Sequence, residues 1–124
     1  MAIYQLRENR VWRPFLGGAK LDALAGRSEG APGHYPERWI ASTTGTASGE
    51  GYSRLTDGRR LRDVLGRDTG VLVKLLDSYS RLMIQVHPDD GAAQRLFQQP
   101  CGNTECWYIL DTQAVEGVEP NVVL

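Results

Sequence analysis

The residues best suited to chemistry fall in two short runs, RLMIQVHPDD (81–90) and TECWYILD (104–111). The first alternates as a strand does, and in a strand the side chains at i and i+2 leave from one face. Gln85 and His87 therefore share a face, with Ile84 and Val86 on the other. Glu105 follows His87 by 18 residues. That interval accommodates strand, helix and strand again, so Gln85, His87 and Glu105 could converge if the second strand returns beside the first. An imidazole nitrogen, a carboxylate oxygen and an amide oxygen suit zinc, manganese or iron better than a thiolate-preferring ion, and a catalytic zinc keeps one position open. A hydrogen-bonded Gln and His on a strand would show the same spacing. Spacing by itself leaves a metal, a substrate and water all open as the occupant.

The elements that must position these residues follow from period and punctuation. GVLVKLLD (70–77) and RLMIQVHP (81–88), joined by SYS, predict a β-hairpin whose first arm is apolar enough to be buried on both faces. Lys74 interrupts that arm, either facing a pocket or reaching out of the sheet. DDGAAQRLFQQP (89–100) predicts a short helix capped by Asp89 or Asp90 and ended by Pro100. Earlier, AIYQL and ERWIAST read as strands. AKLDALAG and DGRRLRDVLG read as brief helices stopped by Gly26 and Gly66. The sum is a mainly β fold, a sandwich or small barrel with short helices. Val71, Val73, Leu75, Ile84, Val86, Phe97 and Ile109 are the expected core, with Trp12, Trp39 and Trp107 in the core or on a sheet face.

At 124 residues the chain is expected to form one domain. Its formal charge of −1, with no basic stripe, gives no reason to expect a nucleic acid partner. The opening MAIYQLRENR lacks the apolar run of a signal peptide, and no segment approaches membrane-spanning length, so a cytoplasmic protein without a membrane partner is expected. Two cysteines are too few for a disulfide scaffold, and Cys106 reads as buried and reduced. His34 sits in a glycine- and proline-rich loop and reads as a surface residue.

VKLLDSYSRLMIQVHPDD followed by TECWYIL resembles the zinc-site stretch of type I mannose-6-phosphate isomerases. NRVWRPFLGGAKL and ERWIAST are similar to amino-terminal segments of the short bacterial members. The resemblance implies a cupin-like jelly-roll, of which residues 1–124 would be the amino-terminal part. It implies a zinc-dependent interconversion of mannose 6-phosphate and fructose 6-phosphate through an enediol(ate). Carried over residue by residue, the zinc ligands are Gln85, His87 and Glu105.

The fourth ligand of the family, a histidine, lies in a part that this sequence does not contain. Asn103 stands where the family has an active-site lysine, and Met83 where it often has a serine. An amide cannot replace an ammonium near a phosphate or a developing enediolate. The expected protein is thus an incomplete isomerase chain with no assignable proton-transfer base. The alternative is a cupin-like module that binds metal or sugar phosphate without catalysis. The oligomeric state is left open.

Overall fold

A computed structural model of the protein describes residues 2–28, 30–114 and 117–120. The chain divides into two compact units, Met1–Arg81 and Leu82–Leu124.

The first unit is organised by β2 (Glu37–Ile40), the middle strand of an antiparallel sheet ordered β1-β2-β3, with β1 at Arg10–Val11 and β3 at Val73–Leu76. Its four residues alternate: Glu37 and Trp39 are buried, Arg38 is half-buried and Ile40 exposed. In the register, Trp39 lies opposite Lys74 and Glu37 opposite Leu76. Lys74 is thus the diagonal neighbour of Glu37, within reach of its carboxylate. Two helices lie between the strands in sequence, α1 (Lys20–Leu24) before β2 and α2 (Leu61–Leu65) after it, each burying one leucine, Leu21 and Leu61. The predicted stop at Gly66 is present as a left-handed C-cap. Val11, Leu21, Trp39, Leu55 and Leu61 form the apolar core.

The second unit is built around α3 (Asp90–Phe97). Asp89 is its N-cap, its Oδ1 accepting from the Ala92 N–H at 2.7 Å, as the sequence predicts. Ala93 is the one buried hydrophobic side chain of this unit among the described residues.

Several expectations are corrected. The hairpin does not form: β3 is present, but residues 81–89 enter no strand, nor do 104–111. The intended turn is bonded elsewhere, since the Tyr79 N–H donates to Leu16 O at 2.8 Å and Leu16 N–H donates to Ser80 Oγ at 3.2 Å. The AIYQL segment makes only an isolated bridge, Leu6 to Leu55. Of the expected core, Leu75 is half-buried, whereas Val71, Val73, Ile84, Val86, Phe97 and Ile109 are exposed, Val86 at 89%. Alternation marks a strand, but burial needs an opposing face, and these segments have none among the described residues. Trp39 alone of the tryptophans is buried; Trp12 and Trp107 are exposed, as is Cys106. The sheet is antiparallel and small, accompanied by three short helices. No helix is long and apolar enough to cross a membrane.

Candidate metal centre

His87 and Glu105 are brought together by the helix between them and by the loop that closes it. Gln98 ends α3 in the left-handed region, turning the chain back, and the Gln99 N–H donates to Ala93 O at 3.2 Å. Gln94 Nε2 then donates to Pro100 O at 3.2 Å. The returning strand of chain is fastened to the departing one at two points. Gly102 N–H donates to Asp90 Oδ1 at 2.8 Å, and Asn103 N–H donates to Pro88 O at 3.1 Å. Since Pro88 follows His87 and Asn103 lies two before Glu105, this fastening sets the two side chains face to face.

The His87 Nε2 to Glu105 Oε2 distance is 3.2 Å, with both side chains partly open to solvent. Two ligand atoms at about 2.0–2.1 Å from a tetrahedral zinc stand roughly 3.3 Å apart. The pair therefore fits one edge of a zinc coordination shell, and its nitrogen and oxygen donors suit that ion. It fits equally a charge-assisted hydrogen bond with a protonated imidazole. Gln85 is exposed, two residues before His87. Among the described residues no group of three or more His, Cys, Asp and Glu is placed to hold a metal ion. Electrostatics favour a cation here: residues 82–124 carry one arginine, Arg95, against six carboxylates, while residues 1–81 carry 13 cations against nine. An open depression of about 450 Å³ lies beside the loop, lined by Pro88, Asp89, Asp90, Gly91, Gly102 and Thr104.

A second charged constellation lies in the first unit, where the sequence reading assigned nothing to Glu37. Its buried carboxylate accepts from Trp39 Nε1 at 2.7 Å, pairs with Arg13 Nη2 at 2.8 Å and faces Lys74 Nζ at 3.6 Å. The Arg13 guanidinium also lies over the Trp39 ring at 5.2 Å from its centroid. The signal for this cluster is an acidic residue two before a tryptophan on one strand face. Lys74 thus turns toward a carboxylate of its own sheet. His34 is on the surface, as expected, stacked on Trp12 with its Nδ1 3.0 Å from Arg13 O.

No protein family model matches the chain. No solved structure is detectably similar to it. Three curated proteins of Bacillus subtilis (strain 168) do match. The stretch similar to the probable mannose-6-phosphate isomerase GmuF is 50% identical over 46 residues, 37% of this chain and 15% of that protein. Mannose-6-phosphate isomerase ManA is 46% identical over 43 residues, 35% of this chain and 14% of ManA. The putative mannose-6-phosphate isomerase YvyI is 44% identical over 54 residues, covering 40% and 17% of the two chains. The resemblance to mannose-6-phosphate isomerases seen in the motifs is therefore present in whole-protein comparison, over a limited stretch. The chain covers less than a fifth of the length of these relatives.

Proposed function

We propose that residues 1–124 are the amino-terminal part of a cupin-like, type I mannose-6-phosphate isomerase domain, carrying three ligands of its zinc, Gln85, His87 and Glu105. The substrate class is a sugar phosphate, mannose 6-phosphate or fructose 6-phosphate, and the setting a soluble metabolic enzyme of the cytoplasm. The observation that carries this reading is the His87–Glu105 pair at 3.2 Å, on residues that the motif resemblance selects independently.

Zinc in this position would supply Lewis acidity to sugar oxygens as negative charge develops on them. His87 and Glu105 supply the two strongest donors, and the Gln85 amide a neutral third. The backbone fastening of Asn103 to Pro88 keeps the two donor-bearing segments side by side. Asn103 itself favours binding over turnover by this chain, because its amide brings no positive charge to a phosphate or enediolate.

The test is zinc retention during dialysis against a weak chelator, with and without mannose 6-phosphate. The expected result is zinc held by the native chain, lost by His87→Ala and Glu105→Ala, and released more slowly when mannose 6-phosphate is present. Equal retention by both variants would remove the metal assignment. Release indifferent to mannose 6-phosphate would remove the sugar phosphate.

A further inference from the structure

Three arginines of the first unit stand in a row across three neighbouring segments of backbone. The Leu6–Leu55 bridge is antiparallel, and its register sets Arg7 opposite Arg54, with the Arg7 N–H donating to Arg54 O at 2.9 Å. A second antiparallel bridge sets Arg54 opposite Arg60. Residues directly opposite one another send their side chains to one face, with Cβ atoms about 4.5–5.5 Å apart. Leu55 and Leu61, next in sequence to Arg54 and Arg60, are buried, whereas all three arginines are exposed.

We infer that this row binds a diphosphate group, as free pyrophosphate or on a small organic carrier. The row lies wholly within the first unit and uses none of the proposed zinc ligands, so its binding does not depend on the function proposed above.

Like charges placed opposite one another weaken a pairing, and an anion laid across them reverses the sign of that effect. Among the described residues no carboxylate forms an ion pair with Arg7, Arg54 or Arg60, whose partners are neutral. Arg7 donates through Nε and Nη2 to Thr56 O at 3.2 and 2.6 Å, and Arg54 through Nη1 to Gly58 O at 2.9 Å. The Arg60 guanidinium lies over the Tyr52 ring, 4.9 Å from its centroid. A guanidinium carries five N–H groups, so each of the three keeps donors to spare. The acids of the region are engaged with other cations, Asp57 with Arg59 at 2.7 Å and Glu8 with Arg27 at 2.5 Å.

The shape of the surface limits the ligand. A depression of about 230 Å³ is lined by Arg7, Asn9, Tyr52 and Arg54 together with Glu8 and Glu50. That volume suits a compact group, and the two carboxylates repel an extended polyanion that would run past the row. A diphosphate concentrates several negative charges within a few ångström and offers oxygens to more than one planar guanidinium fork. A carboxylate or a single phosphate leaves part of the row unmatched.

The experiment is calorimetric titration of sodium pyrophosphate into the full chain at neutral pH and low ionic strength, with a chelator present so that no metal ion mediates. One saturable site per chain is expected, weakened at least about tenfold by Arg7→Gln, Arg54→Gln or Arg60→Gln, the scale of losing a charge-assisted hydrogen bond. Arg62→Gln removes the same charge from outside the row, where Arg62 faces Asp68, and should bind as the native chain does. Arg54→Lys keeps the charge without the fork and should fall between native and Arg54→Gln, which serves if Arg54→Gln does not fold. Adenosine diphosphate binding as tightly as pyrophosphate would assign the organic form, and much weaker binding the free one. Absence of saturable pyrophosphate binding would overturn the site. Equal weakening by Arg62→Gln, or orthophosphate or sulfate binding as tightly as pyrophosphate, would also overturn it, the first by showing a diffuse field and the second a site for any small anion.

Discussion

Gly102 lies directly against the Pro88 carbonyl: a Cβ built at 102 would stand 2.2 Å from Pro88 O and 2.7 Å from the Asp89 carbonyl carbon. No side chain fits there, so the approach of the chain before Glu105 to the chain after His87 depends on the absence of one. Gly102→Ala is expected to pry the two apart, separating His87 from Glu105. Zinc affinity, measured by competition with a chromophoric chelator, should fall at least about tenfold, the scale of losing a well-placed support. Unfolding of the first unit should not change.

Asp89 caps α3 from outside the donor pair, and its removal tests the helix independently of the metal. Asp89→Ala forfeits the bond to the Ala92 N–H. The helix should lose about 1 kcal/mol, seen as faster amide hydrogen exchange over residues 92–97. Asp89→Asn should behave nearly as the native chain does.

Glu37 is the charge on which the first unit turns. Glu37→Ala removes the carboxylate that pairs with Arg13 and faces Lys74 and leaves Trp39 Nε1 without its acceptor. Both cations retain some access to water, which softens the penalty relative to a fully buried pair. A loss of about 1–3 kcal/mol in urea unfolding is expected. Glu37→Gln should recover part of it, because an amide oxygen can still accept from the indole.

Part of the acid sensitivity should trace to Arg27. Hydrogen bonds from its guanidinium are the largest cause holding the Glu8 and Asp22 carboxyls below their ordinary values, with Arg10 adding to both. A carboxyl lowered in the folded chain stabilises it above the unfolded value and ceases to do so as pH falls through the folded one. The melting temperature should therefore drop as pH descends from near 4.5, the ordinary glutamate value, toward the lowered values. Arg27→Met should make this acid limb shallower, with Asp57 and Asp68, held low by Arg59 and by the Gly70 N–H, supplying what remains of it, and leave the neutral-pH profile the same shape.

What could be read from the sequence was local. The stop of α2 and the N-cap of α3 were legible because Gly66 and Asp89 act within one turn of chain, whereas α3 ends at Phe97 with Gln98 in the left-handed region and not at Pro100. β2 was legible through its β-branched and aromatic residues, and the His87–Glu105 approach through the 18-residue interval, although only the helix of the expected strand, helix and strand forms. The hairpin and the core were not. RLMIQVHP has the period of a strand, yet a strand forms only where another backbone meets it, and that is a tertiary event the period does not encode. Glu37 escaped notice because its partners Arg13 and Lys74 are remote in sequence and meet it only through the sheet register.

The central claim is that His87 and Glu105 bind a metal, and not merely each other. Calorimetric titration of zinc into the native chain, His87→Ala and Glu105→Gln puts it to the test most directly. The account predicts saturable binding by the native chain, with protons released from the imidazole wherever it starts protonated, and no saturable binding by either variant. Zinc binding of the same affinity in all three proteins, or in none, would contradict it.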